Sequence, residues 1–249
     1  MINNPIFERL SLLAGTEALE KLSRTRALVF GAGGVGSWTA EALVRSGIGK
    51  IGIIDNDTVC ASNINRQIEA TTLTIGHPKA SALKKRLLEI NPECEVTAWD
   101  ELFCLEKAPI FGIRQADYVV DAIDSLNHKL DLIETVLNSG VTLFSSMGMA
   151  IKTDPTLIKT GSIWKTDVCP LARMVRQGLR KRAFKGDFIV VYSDEQKTVN
   201  NEQSTENSEQ FTQDEFSIRK KANGSIVTVT AVAGLYLANL VIHDIIKNN

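Results

Sequence analysis

Glycines at 31, 33, 34 and 36, Asp55, Arg66, Lys79 and Asp124 are the residues whose types and order could do chemistry in this chain. The run Gly31-Ala32-Gly33-Gly34-Val35-Gly36-Ser37 lies between an apolar stretch at 26–30 and a segment with apolar residues at helical spacing at 37–45. A glycine-rich turn entering a helix aims unpaired backbone N–H groups at an anion, and the helix dipole adds positive potential there. Gly31, Gly33 and Gly36 let the backbone approach a phosphate and the helix settle on the sheet. A second apolar run at 50–54 closes on Asp55. An acid in that place can accept hydrogen bonds from ribose hydroxyls. The pattern implies a nucleotide site and leaves the nucleotide open.

The elements that must hold these residues alternate along the chain. An amphipathic helical arm is expected at 7–22, broken at Gly15-Thr16. A polar loop at 57–67 contains Asn63-Ile64-Asn65-Arg66-Gln67. A helix at 79–90 has Pro78 at its start and Asn91-Pro92 as its stop. Strands are expected at 95–99, 118–122 and 141–145, with a helix at 127–138 closed by Ser139-Gly140. The order predicts an α/β fold, a Rossmann-like and mostly parallel sheet with helices on both faces. Asp55, Asp124 and the stretch 145–148 would share the C-terminal edge of that sheet, where such folds bind ligands.

After Pro170 the character changes. A helix at 171–182 carries Arg173, Arg176 and Arg180 at i, i+3 and i+7, with Lys181, Arg182 and Lys185 nearby. A strand is expected at 188–192, a mobile polar loop at 194–216, a short strand at 226–230 and a helix from about 231 to 247. The expected organisation is one domain over 1–249, with a nucleotide-binding core at about 24–150 and a C-terminal part at 151–249.

Composition sets bounds. Apolar residues make up 44% and charged residues 23%, ordinary for a globular protein. A formal net charge of -1 gives no global pull toward nucleic acid, so RNA binding would need a local patch. Cys60, Cys94, Cys104 and Cys169 form no C-x-x-C pair, which argues against structural zinc. The start of the chain carries no apolar run, so no signal peptide is expected, and reduced thiols fit a cytoplasmic setting. The apolar segment 226–246 is interrupted by Thr228, Thr230, Asn239, His243 and Asp244, and reads as a buried or dimer-facing element rather than a stable membrane insertion.

The glycine motif, Asp55, Asn63-x-Asn65-Arg66-Gln67, Lys79 and Asp121-Ala122-Ile123-Asp124 occur in one order that resembles the E1-like superfamily of carboxylate-adenylating enzymes. Phe7-Glu8-Arg9, Ile90-Asn91-Pro92, Asp154-Pro155-Thr156, Pro170-Leu171-Ala172-Arg173 and Ala231-Val232-Ala233-Gly234 look like one branch of it, the tRNA threonylcarbamoyladenosine dehydratases. Ile6 departs from the branch, which often has arginine there, and 196–215 looks longer and more polar than expected.

The resemblance implies ATP and Mg²⁺ as cofactors, tRNA as partner, a homodimer and an E1-like fold with a C-terminal extension. It also admits sulfur-relay proteins as partners. It makes Gly31, Gly33, Gly34, Gly36, Ser37, Asp55, Asp57 and Asn63 nucleotide-binding residues. Arg66 becomes a phosphate contact, and Lys79 a contact to the phosphate and ribose region. Asp124 becomes the acid beside Mg²⁺; its plainer alternative is a helix cap, a task Ser125 could take. Asp57 reads either as support for the site or as a turn acid. Arg9 resembles an arginine that E1-like dimers insert into the partner's site; the alternative is an exposed arginine on the arm. Arg173, Arg176 and Arg180 would suit an RNA backbone, where the bland reading is a solvated helix face. Cys169 reads as structural.

The implied reaction is dehydration, with ring closure, of threonylcarbamoyladenosine in the tRNA anticodon loop through an acyl-adenylate. Two rivals share the nucleotide motif. One is an adenylating activator of a ubiquitin-like sulfur carrier; the other is an NAD-dependent oxidoreductase.

Overall fold

The computed structural model describes residues 4–196 and 224–247. Seven strands form one sheet: β1 (Arg26–Phe30), β2 (Lys50–Ile54), β3 (Glu95–Trp99), β4 (Tyr118–Asp121), β5 (Thr142–Ser146), β6 (Ile158–Ser162) and β7 (Ile189–Ser193). The helices are α1 (Glu8–Arg24), α2 (Gly36–Arg45), α3 (Lys79–Ile90), the short α4 (Ala108–Phe111), α5 (Leu126–Asn138), α6 (Pro170–Lys181) and α7 (Val227–Lys247). The strand order is β3-β2-β1-β4-β5-β7-β6. All pairings are parallel except β6 with β7, which is antiparallel. The strand sequence reverses direction between β1 and β4, which opens a crevice at their C-terminal ends.

Alternation along β1 builds two cores. Ala27 and Val29 face α1, α2, α3 and α7, while Leu28 and Phe30 face α4, α5 and α6. Successive strand side chains point to opposite faces, so a strand buried on both sides must be apolar throughout, as Ala27–Phe30 are. Phe30, Phe103 and Phe111 meet edge-on or tilted beneath the second face. The arm α1 bends where expected, with Gly15 at φ 82° inside it.

Three expectations need correction. The strand expected at 226–230 is instead the first turn of α7, which starts at Val227. The β-branched run there favours extended backbone locally, but Val229, Ala233, Leu237, Val241 and Ile245 fall on one helical stripe buried in the first core. Thr39 Oγ1 donates to Gly234 O at 3.0 Å, and Tyr118 OH donates to Asp244 Oδ2 at 2.7 Å, fixing α7 on α2 and β4. Tertiary burial thus overrides local propensity. The second correction is β6, unexpected from its sequence, Ile-Lys-Thr-Gly-Ser, because an edge strand needs no alternating apolar run. Third, β4 stops at Asp121 and β5 is shifted by one residue.

The loop expected at 194–216 lies, from 197 onward, outside the described residues, as does the basic run Arg219-Lys220-Lys221, a further candidate in the sequence for RNA contact. Its described beginning is anchored: the Glu195 carboxylate accepts from the N–H groups of Thr153 and Asp154 at 2.9–3.0 Å. The helix α7 is long and apolar enough to cross a membrane, with half of its most apolar window buried inside the fold.

Candidate nucleotide-binding and active site

A cleft of about 720 Å³ opens at the C-terminal ends of β1, β2, β4 and β5. Gly31, Gly33, Gly34, Asp55, Asp57, Asn63, Arg66, Lys79 and Asp124 all line it. The topology therefore gathers residues from widely separated parts of the chain, as the order of motifs implied.

The glycine turn is built by close approach. Gly31 has φ +93°, and a side chain on it would sit 2.7 Å from Ala122 O. A Cβ at Gly36 would lie 1.8 Å from Gly31 O, so α2 can start under the turn only with glycine there. Gly36 and Ser37 do not line the cleft. Ser37 is buried, its Oγ donating to Gly33 O at 2.7 Å and accepting from Ile68 N at 3.3 Å. It braces the turn from below.

Asp55 is drawn toward the same turn. One carboxylate oxygen accepts from Ala32 N at 2.7 Å and the other from Asp57 N at 2.8 Å. Burial raises its pKa above the usual value, partly offset by the Asp57 N–H and the Lys79 charge. Lys79 is only 6% exposed, and its Nζ donates to Asp57 Oδ2 at 2.8 Å. The Lys79 N–H also reaches Asp57 O at 2.9 Å. Asp57 is thus more than a turn acid: it holds the cleft's buried ammonium.

Arg66 is positioned by its own loop. Its Nη1 donates to Ser62 O at 2.8 Å and to Asn65 Oδ1 at 3.0 Å, and its carbonyl accepts from Trp38 Nε1 at 2.9 Å. No carboxylate pairs with it among the described residues. Asn63 accepts from Cys60 N at 2.9 Å, closing the preceding turn. The guanidinium therefore keeps its charge available to the cleft.

Asp124 stands exposed on the loop after β4, and Ser125 takes the N-cap position of α5. Asp121, beneath, is fully buried. Its Oδ2 accepts from Ser145 Oγ at 2.7 Å and from Lys129 Nζ at 2.8 Å, and its Oδ1 accepts from Ile123 N at 3.0 Å. Lys129 also donates to Ile123 O at 2.8 Å. A fully buried ion pair tied to both sides of the loop fixes where Asp124 sits. The sequence motif includes Asp121 but does not single out Lys129. A signal existed: Lys129 shares a helical stripe with Ile133 and Val136, where an apolar residue would be expected.

Glu69 was also missed. It is 2% exposed, and neither carboxylate oxygen has a hydrogen-bond partner. Gln67 Oε1 is buried without a partner as well. Burial pushes the Glu69 carboxyl up to about 7, against the pull of Lys79. Glu69 does not itself line the cleft.

The remaining expected residues lie elsewhere. Arg9 is exposed on α1 and does not line the cleft of its own chain. Leu12 and Leu13 on the same arm are 76% and 86% exposed. Arg173, Arg176 and Arg180 lie along α6, whose Leu171 reaches the cleft rim. Cys169 is buried at the start of α6, its Sγ accepting from Gly148 N at 3.3 Å, in keeping with a structural role. Among the described residues no three His, Cys, Asp or Glu side chains converge as a metal cage.

The fold, the glycine turn and the convergent cations define a nucleotide-binding protein of the E1-like class. The chain belongs to the ThiF family, whose model matches residues 7–249. It is 41% identical over 244 residues to the tRNA threonylcarbamoyladenosine dehydratase of Bacillus subtilis, which spans 97% of this chain and 95% of that protein. The Escherichia coli enzyme of the same name is 40% identical over 185 residues, 74% of this chain and 67% of that one. The crystal structure of the E. coli dehydratase in complex with ATP superposes with a TM-score of 0.84 at 31% identity, covering 97% of this chain and 94% of that one.

Proposed function

We propose that this chain is an ATP-dependent tRNA threonylcarbamoyladenosine dehydratase. The observation that carries the reading is similarity to such enzymes over nearly the whole chain, with most of the residues expected to bind ATP lining one cavity. The threonyl carboxylate attacks the α-phosphorus of ATP, forming an O–P bond as the bond to pyrophosphate breaks. The carbamoyl group then attacks the activated carbonyl, AMP leaves, and a ring closes with net loss of one water.

The chain's residues supply binding and charge. The N–H groups left for the phosphates lie within 33–36, because those of Gly31, Ala32 and Ser37 donate to Ile54 O, Asp55 Oδ2 and Gly33 O, and Asp55 keeps lone pairs for the ribose. Arg66 and Lys79 stabilise charge that builds on the phosphates during displacement. The exposed carboxylate of Asp124 fits Mg²⁺, which commonly takes one or two carboxylates plus substrate phosphates. When bound, the ion neutralises charge on the leaving pyrophosphate. The base holds carboxylate and carbamoyl in one molecule, so proximity carries much of ring closure.

The assembly is a cytoplasmic homodimer in which Arg9 of one copy reaches the cleft of the other. The exposed Leu12 and Leu13 beside Arg9 support that pairing. Sulfur-relay proteins are further partners to test by pull-down. The test of function is mass analysis of nucleosides after incubation with ATP and tRNA bearing threonylcarbamoyladenosine. Loss of one water, with AMP formed, is expected. Unchanged nucleosides, with pyrophosphate exchange only on adding a sulfur-carrier protein, would favour the rival activator. Binding of NAD in preference to ATP would favour the oxidoreductase.

A further inference from the structure

The segment 163–187 holds seven lysines and arginines but only two acids, Asp167 and Asp187, in a chain whose net charge is -1. The structure sorts these cations. Arg182 is spent on α5, its Nη1 lying 2.6 Å from both Asp131 and Glu134. Arg176 is held by Thr166 Oγ1. Arg173, Arg180, Lys181 and Lys165 are exposed and have no ion pair among the described residues.

Arg180 differs from the rest. Its guanidinium carbon lies 5.6 Å from the centroid of the Trp164 ring. The indole is itself fixed, because Nε1 donates to Gly186 O at 2.9 Å. An arginine laid over an aromatic ring loses freedom of orientation and presents a planar, charged surface. Such planes stack on unpaired RNA bases, whereas a lysine offers only a point charge. The helix α6 runs from Leu171, at the cleft rim, to Lys181, a rise of about 15 Å, so its N-terminal end lies at the cleft and Arg180 about two and a half turns away.

We propose that Arg180 and Trp164 form a stacking contact for an unpaired tRNA base, with Arg173, Lys181 and Lys165 as the phosphate track beside it. The inference rests on the tRNA reading above and adds Trp164, which the sequence did not single out.

The experiment measures binding of total tRNA to the full chain over a salt series, for wild type, Arg180→Lys, Arg180→Gln, Trp164→Phe and Trp164→Leu. Nucleotide-induced thermal shift checks that each variant folds and binds ATP. Arg180→Lys and Trp164→Leu should each weaken binding about 3- to 10-fold while leaving the salt slope unchanged. Trp164→Phe should restore most of the loss. Arg180→Gln should also flatten the slope of log K against log salt by about 0.7–0.9. Wild-type affinity in Arg180→Lys would mean that charge alone acts, and would overturn the stack. Wild-type affinity and slope in Arg180→Gln would overturn the surface altogether, while leaving the dehydratase reading intact. A wild-type protein that does not bind tRNA would overturn that reading as well.

Discussion

Replacing Glu69 with glutamine should make the protein more stable at neutral and alkaline pH and remove a slope from its stability curve. Glu69 is 2% exposed, and neither of its oxygens has a hydrogen-bond partner. Burial moves its carboxyl from a usual 4.5 to about 7, with Lys79 lowering it and Asp55 raising it in part. The unfolded chain releases this proton near 4.5, whereas the folded chain keeps it to about 7. Between those values the folded state binds more protons than the unfolded state, so stability falls as pH rises. The stabilising contribution is whole below 4.5 and lost above about 7, and the difference amounts to about 3 kcal/mol. Glutamine mimics the neutral acid. Its amide brings donors that also lack partners, a cost of about 1–3 kcal/mol that does not vary with pH. The informative quantity is therefore the difference between variant and wild type as a function of pH. Urea unfolding at several pH values from 5 to 8 should show that difference moving in the variant's favour by about 2.5 kcal/mol, equivalent to roughly 5–10 °C in Tm. A difference that stays flat across the series would show that Glu69 is ionised throughout and refute the reasoning.

Arg66→Ala should leave the fold intact and slow adenylation by at least about 10²-fold in pyrophosphate exchange; near-normal exchange would remove Arg66 from the mechanism. Asp55→Ala should weaken ATP more than 2′,3′-dideoxy-ATP in equilibrium titration, because only the former loses a ribose acceptor, and equal weakening would show that Asp55 does not read the ribose. Mixing inactive Arg9→Ala and Asp124→Ala chains should restore part of the activity, since one site of the mixed dimer is whole; no recovery under proven subunit exchange would count against sharing. Lys129→Met leaves Asp121 charged and unpaired in the core and should cost about 3–5 kcal/mol in urea unfolding, while Lys129→Met combined with Asp121→Asn should recover much of it.

The sequence by itself determined the α/β alternation, the parallel core of the sheet and most of the cleft. Those features rest on local signals. Apolar runs bounded by glycine and proline mark strands and helices, and Gly31-x-Gly33-x-x-Gly36 fixes a turn because no side chain fits at Gly36. Asp55, Arg66, Lys79 and Asp124 follow from their places at strand ends and in one ordered set of motifs. Tertiary structure decided what depends on distant partners. The start of α7 is helical because Val229 and the stripe that follows it bury in the first core, where Gly234 meets Thr39 of α2 across nearly 200 residues of chain. Lys129 is a buried partner of Asp121 rather than a surface charge, and Glu69 is an acid sealed from solvent near the Lys79 charge, because folding alone sets their surroundings. Propensity and spacing describe a residue's neighbours along the chain, but solvation and pairing depend on neighbours in space.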